Sequence, residues 1–294
     1  MRIAGHTMGT PELTLDEAAG LFAQIGMDAI EIIFQDGYKC AFGWQTRDRD
    51  VLAYQKRLDA LGLDTSCIVA YASDYNQPDD GRRQAAIKEC RRCIEIAAML
   101  SAKYIRIYGG TFLDGDADFA RKRDILTDTM RMLADEGAKV NVGLVLENHF
   151  NTMTTGPAVT YDIVQGIDRD NVGILYDQAN ITFLSGEDYR DCIAIQKEKI
   201  HYVHVKDLVF KQEGVRFSAG SVSHVNEAER AVSSRIVGEG VLPWPEIVRA
   251  LHDIGYDGYL SLEYERRWHP QDLPLAEIGM KQGAEHVRRI LQNI

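Results

Sequence analysis

The chain has 294 residues, 45% hydrophobic and 26% charged, the proportions of an ordinary globular protein with room for one sizeable core. A formal charge of −11 argues against a nucleic-acid surface, which needs a basic patch, and fits a protein acting on neutral small molecules. No run approaches the roughly 18 to 20 apolar residues that cross a bilayer, so no membrane contact is expected. The first residues, Met1 to His6, lack the apolar region and cleavage site of a signal peptide. Five cysteines in no framework spacing point to a reducing compartment, and the cytoplasm is the expected location. Cys90 and Cys93 recur with Ala86, Ala97 and Leu100 at helical spacing, and they read as small hydrophobes on a buried face.

In chain order, the first expected strand is 3–6. Thr14-Leu-Asp-Glu17 is a capping box that starts a helix at 14–25, and Ile25-Gly-Met-Asp28 stops it. The same stop returns as Leu61-Gly-Leu-Asp64 and Ile254-Gly-Tyr-Asp257. With these marks, further strands fall at 29–34, 65–70, 104–108, 143–147, 173–177, 202–206 and 259–263. Helical patterns fill 47–61, 82–100, 117–136, 158–166, 187–198, 244–253 and 275–292. Strands alternating with helices, without a composition break, predict a single-domain (β/α)8 barrel over 1–294. A doubly wound open sheet is the alternative, but no Gly-rich phosphate fingerprint follows the first strand. The stretch 207–240 departs from the unit: it is polar, carries Glu213, Ser223 and His224, and shows no clear helix or strand. It is expected either as a lid over the C-terminal mouth or as an unstructured insertion.

Four late strands end in metal-type ligands. Gly143-Leu-Val-Leu runs into Glu147, Gly173-Ile-Leu-Tyr into Asp177, Ile200-His-Tyr-Val into His204, and Gly258-Tyr-Leu-Ser-Leu into Glu263. Catalytic groups of a (β/α)8 barrel sit at the C-terminal strand ends, and neighbouring strands are ~4.8 Å apart, so these four side chains can converge on one ion. Three carboxylates and an imidazole suit Mn²⁺, Mg²⁺ or Co²⁺ more than thiolate-loving metals. The plainer reading makes each a solitary strand-end residue satisfied by a helix N-terminus or an arginine.

Alternation along strands places Glu31, Tyr104, Arg106 and Tyr108 inside the barrel, where Glu31 and Arg106 could pair. Arg106 and Tyr108 are therefore candidates for substrate contact, as are His6, His149 and Lys206 by the same parity. Each histidine could instead orient a ligand. His201 has the wrong parity for the site and is expected against the outer helices. Trp268 follows the last ligand and could stack on a sugar face or pack its loop onto the barrel.

A divalent ion in such a mouth can hold the oxygens of a keto-sugar and stabilise the enediolate formed when a neighbouring proton leaves. Two carboxylates, with Glu147 and Glu263 as candidates, can take and return that proton. The chain resembles the xylose isomerase-like TIM-barrel superfamily of sugar phosphate isomerases and epimerases. The motifs are Leu146-Glu-Asn-His149, Tyr176-Asp177, His204-Val-Lys-Asp207, Val237-Gly-Glu-Gly240 and Gly258-Tyr-Leu-Ser-Leu-Glu263. The resemblance implies a divalent ion, commonly Mn²⁺, on Glu147, Asp177, His204 and Glu263, with the two glutamates moving protons. It also implies a possible homo-oligomer. Asn180 and Phe210 stand where ketose 3-epimerases have His and Arg. The expected activity is thus a metal-dependent isomerase or epimerase of a sugar or sugar-like ketone. A lyase or dehydratase on a keto-sugar, keto-glycoside or inosose is the alternative, and a non-catalytic sugar-binding barrel is the third.

Overall fold

The computed structural model describes residues 1–212, 217–222 and 229–294. Its centre is a closed barrel of eight parallel strands. They are β1 (Arg2–His6), β2 (Ala29–Phe34), β3 (Asp64–Ala70), β4 (Tyr104–Ile107), β5 (Gly143–Glu147), β6 (Val172–Tyr176), β7 (Ile200–Val205) and β8 (Tyr259–Leu262). Each pairs with the next, and β1 pairs with both β2 and β8, so the barrel closes and the open sheet is excluded.

The outer ring is α1 (Leu15–Gln24), α2 (Asp48–Leu61), α3 (Asp80–Met99), α4 (Phe119–Ala138), α5 (Pro157–Ile167), α6 (Gln178–Leu184), α7 (Tyr189–Gln196), α8 (Trp244–Asp253) and α9 (Ala276–Leu291). No described helix is long and apolar enough to cross a membrane. The capping box at Thr14 forms, with Glu17 Oε2 accepting from the Thr14 backbone at 2.8 Å. Gly62 takes φ +70° at the end of α2, the left-handed turn that the Leu61-Gly-Leu-Asp64 stop requires. Cys90 and Cys93 are buried in α3. The seven-residue α6 is absent from the sequence pattern because it is too short to show a period, and it starts at Asp177 itself.

The inside of the barrel is mixed in chemistry. Cys67, Val145, Leu175 and Tyr202 form an apolar cluster, while Glu31, Arg106, Glu147, Asp177, His204 and Glu263 are buried polar residues of the same interior.

Two expectations are corrected here. His201 does not face the outer helices. The β6–β7 register slips between Ile174 and Leu175, so His201 becomes an extra residue and its ring turns towards Tyr104, at 5.8 Å between centroids. Gly173 makes room for it, since a Cβ there would overlap the imidazole. Burial first, then Lys103 and Lys199, push His201 down to about 4. The unfolded chain therefore binds this proton first, so stability is full above about 6.5 and falls as pH drops towards 4. Denaturant melts across that range should show His201→Gln flattening this part of the pH dependence; an unchanged slope would contradict the inward placement.

The described part of 207–240 also holds strands that its pattern does not show. Asp207–Phe210 and Val232–Arg235 pair as antiparallel strands. The Asp207 carboxylate accepts from the backbone of Leu208, Gly238, Gly240 and Leu242 at 3.0–3.2 Å, which explains why His204-Val-Lys-Asp207 and Val237-Gly-Glu-Gly240 occur together. Gly240 has no side chain because a Cβ would enter that carboxylate. Residues 217–222 lie against other mouth loops: Asp114 N donates to Gly220 O, Asn151 Nδ2 donates to Val222 O, and Phe217 stacks on Phe183 at 4.2 Å. Glu213, Ser223 and His224 lie outside the described residues.

Candidate metal centre

Glu147, Asp177, His204 and Glu263 come together at the barrel mouth, each offering one ligand atom, all within 4.8 Å of one another. His204 Nδ1 lies 3.3 Å from Glu147 Oε1, 3.4 Å from Glu263 Oε2 and 3.8 Å from Asp177 Oδ2. Its other nitrogen, Nε2, is 3.2 Å from Glu31 Oε1. Asp177 ends β6 and caps α6, its Oδ1 accepting from Asn180 N at 2.9 Å. That capping bond turns Oδ2 inward, where no hydrogen bond reaches it, although Lys206 Nζ lies 3.0 Å away.

The arrangement fits a divalent ion. One imidazole nitrogen and three carboxylate oxygens converge, and an orphaned buried oxygen is a costly group that a cation would satisfy. His204 Nδ1 would be the nitrogen ligand, with Nε2–H donated to Glu31, the usual carboxylate partner of a metal-bound histidine. The purified protein should contain close to one divalent ion per chain, and His204→Ala should empty the site. Elemental analysis settles this; protein free of metal, with the substitution changing nothing, would remove the ion from the account.

Charges around the four are heavily committed. Burial alone would raise Glu147, but Arg106, then His149, outweigh it and hold this carboxyl well below its ordinary range. Burial likewise opposes charge on Lys206, yet Asp177 and Glu263 keep its ammonium well above the usual lysine value. Lys206 Nζ donates to Glu263 Oε2 at 2.7 Å and to Glu265 Oε1 at 3.3 Å. Asp177 is raised by burial, which Lys206 offsets only in part.

The expected Glu31–Arg106 pair does not form. Register puts Glu31 level with Cys67 and Tyr104, whereas Arg106 lies two residues further along β4. Glu31 instead meets His204, Ser261 and Tyr202. Arg106 donates from Nε to Glu147 Oε2 at 2.6 Å and from Nη1 to Ala70 O at 3.0 Å, with its guanidinium 3.7 Å over the Tyr108 ring.

The other candidates surround this core. His6 Nδ1 accepts from Met8 N at 3.1 Å, so its proton sits on Nε2, 3.9 Å from Glu31 Oε1. His149 donates from Nδ1 to Phe150 O at 2.8 Å and lies edge-on to Tyr108. Trp268 is 38% exposed at the rim, with its Nε1 on Met8 Sδ. In the sequence Asn180 stands out only as a departure from the epimerases. Its Nδ2 lies 3.3 Å from Glu147 Oε1 and 2.9 Å from Asn148 O, so it touches a ligand. Its position three residues after a strand-end Asp, on a helix capped by that Asp, was the available signal.

The chain belongs to the xylose isomerase-like TIM barrel family, whose pattern matches residues 20–290. Its relatives are enzymes. It is 23% identical over 252 residues to 3-dehydroshikimate dehydratase from Bacillus anthracis, covering 81% of this chain and 84% of that one. It is 27% identical over 146 residues to an inosose dehydratase of Geobacillus thermodenitrificans, spanning 49% of this chain and only 47% of the relative. Among solved structures, an IolI protein with a bound zinc atom superposes with a TM-score of 0.79 at 17% identity, covering 100% of this chain and 99% of that one.

Proposed function

We propose that the protein is a divalent-metal-dependent dehydratase of a polyhydroxylated cyclic or sugar-like ketone. Mn²⁺ is the proposed ion, because three carboxylates and one imidazole form an oxygen-rich set. Glu147, Asp177, His204 Nδ1 and Glu263 would hold it. When bound, the ion supplies positive charge for the ketone oxygen as the neighbouring carbon loses its proton.

One observation separates this reading from the isomerase or epimerase expected from sequence. An epimerase of the two-glutamate type needs a free carboxylate oxygen on both sides of one carbon. Glu147 has its Oε2 held by Arg106 and its Oε1 facing His204 Nδ1 and Asn180. Glu263 is different: Oε2 faces Lys206 and His204, and no hydrogen bond reaches Oε1 among the described residues. The acid–base equipment is thus one-sided. Glu263 Oε1 takes the proton next to the ketone, and the Lys206 ammonium gives its proton to the hydroxyl leaving the adjacent carbon. The products are an unsaturated ketone and water. Glu263 then returns its proton to Lys206, and both groups are reset. The two dehydratase relatives support the same outcome.

Proton NMR in D₂O with Mn²⁺-loaded protein and a panel of inososes and dehydroshikimate-type ketones tests this. Loss of water with a new vinyl signal is the expected result. Deuterium beside the ketone without elimination would move the assignment to isomerase or epimerase. No exchange with any member would overturn proton abstraction altogether.

A further inference from the structure

In the loop after β8 sits a positive charge that nothing in the site uses. Arg267 follows Glu263 by four residues, in the turn Glu265–Arg267. Its guanidinium is stacked between rings, 3.5 Å from the Tyr38 centroid and 4.2 Å from that of Trp268. Nη2 donates to Gln35 Oε1 at 2.6 Å, but Nε and Nη1 are buried with no partner. Among the described residues no carboxylate pairs with it, although most of the chain's other arginines near an acid form ion pairs and the protein is strongly acidic.

Buried guanidinium donors without an acceptor cost free energy, the more so when the charge has no counter-ion. Ring contacts with Tyr38 and Trp268 hold the plane of the group. Nε and Nη1 lie on different edges, each shared with Nη2, so a carboxylate can accept from one of them and from the second hydrogen of Nη2, the bidentate geometry of an arginine–carboxylate pair. The group also adjoins the site. The Tyr71 ring has Arg267 at 5.2 Å and Arg106 at 5.5 Å, and Arg106 is the partner of Glu147. Tyr71 and Arg106 thus link Arg267 to Glu147 along one wall of the mouth, the side from which a substituent of a bound ketone could meet it.

We infer that Arg267, fixed by Tyr38, Trp268 and Gln35, is a carboxylate-binding subsite, and that the substrate is a keto-polyol carrying a carboxylate. This changes the neutral substrate expected from overall charge. It rests on the proposed reaction for the word substrate, but the subsite itself does not.

The test is binding, measured by calorimetry on the protein as purified, with quinate and its uncharged methyl ester as probes. Wild type should hold quinate at least tenfold more tightly than the ester. Arg267→Met should abolish that preference while leaving affinity for the ester unchanged, and the melting temperature should not fall, since Met keeps apolar contact with Tyr38 and Trp268 and removes the unpartnered buried donors. Equal affinities in wild type, failure to bind quinate, or a preference that survives Arg267→Met would each overturn the subsite. An Arg267-dependent preference without any exchange in D₂O would instead retain the subsite and discard the dehydratase.

Discussion

Glu263→Gln is expected to lower turnover by about 10²–10⁴-fold, the usual contribution of a positioned general base, and it should not recover when Mn²⁺ is added in excess. The amide keeps an oxygen and the side-chain shape but cannot take a proton. Glu147→Gln should behave differently. Glu147 is held by Arg106 on one oxygen and faces His204 and Asn180 with the other, so on the proposed mechanism it helps to hold the ion and moves no proton. Its substitution should weaken metal binding, and excess Mn²⁺ should restore a large part of the rate. Steady-state kinetics over a metal titration distinguish the two. If neither variant is rescued and both lose exchange equally, the two glutamates act as a pair and the one-sided mechanism fails.

The second large effect concerns stability. Arg106 and Glu147 are 2% and 0% exposed and form a charge pair inside the barrel. Arg106→Met takes the strongest counter-charge from buried Glu147, leaving His204, Asn180 and His149 around it, and frees the carbonyl of Ala70. Breaking one side of a buried pair costs roughly 3–5 kcal/mol. Urea denaturation of metal-stripped protein should show that loss, and added Mn²⁺ should reduce it because a cation again faces Glu147. Replacing both partners, Arg106→Met with Glu147→Leu, should recover part of the stability, since no lone charge then remains. A single-variant loss below ~1 kcal/mol would mean that water reaches Glu147 and the pair is not desolvated.

The sequence by itself determined the architecture and the four residues that converge at the mouth. Barrel order follows from local signals: apolar strands, the repeated Gly-apolar-Asp stop, and a capping box that forms as written. These four were legible because they occupy one place in a repeating unit, the end of a strand, and closure of the barrel brings such ends together. What depends on register between strands was not legible. A one-residue slip turned His201 from the outside to the inside, and a two-residue offset separated Glu31 from Arg106. A periodicity of two says which face a side chain takes, not how far up the barrel it sits. Asn180 on Glu147, Asp207 holding the Gly238–Gly240 turn, and Arg267 clamped by Tyr38 arise from residues far apart in the chain. Those contacts exist only once tertiary packing has set the loops around the mouth, so only the folded structure decided which carboxylate oxygens find partners there.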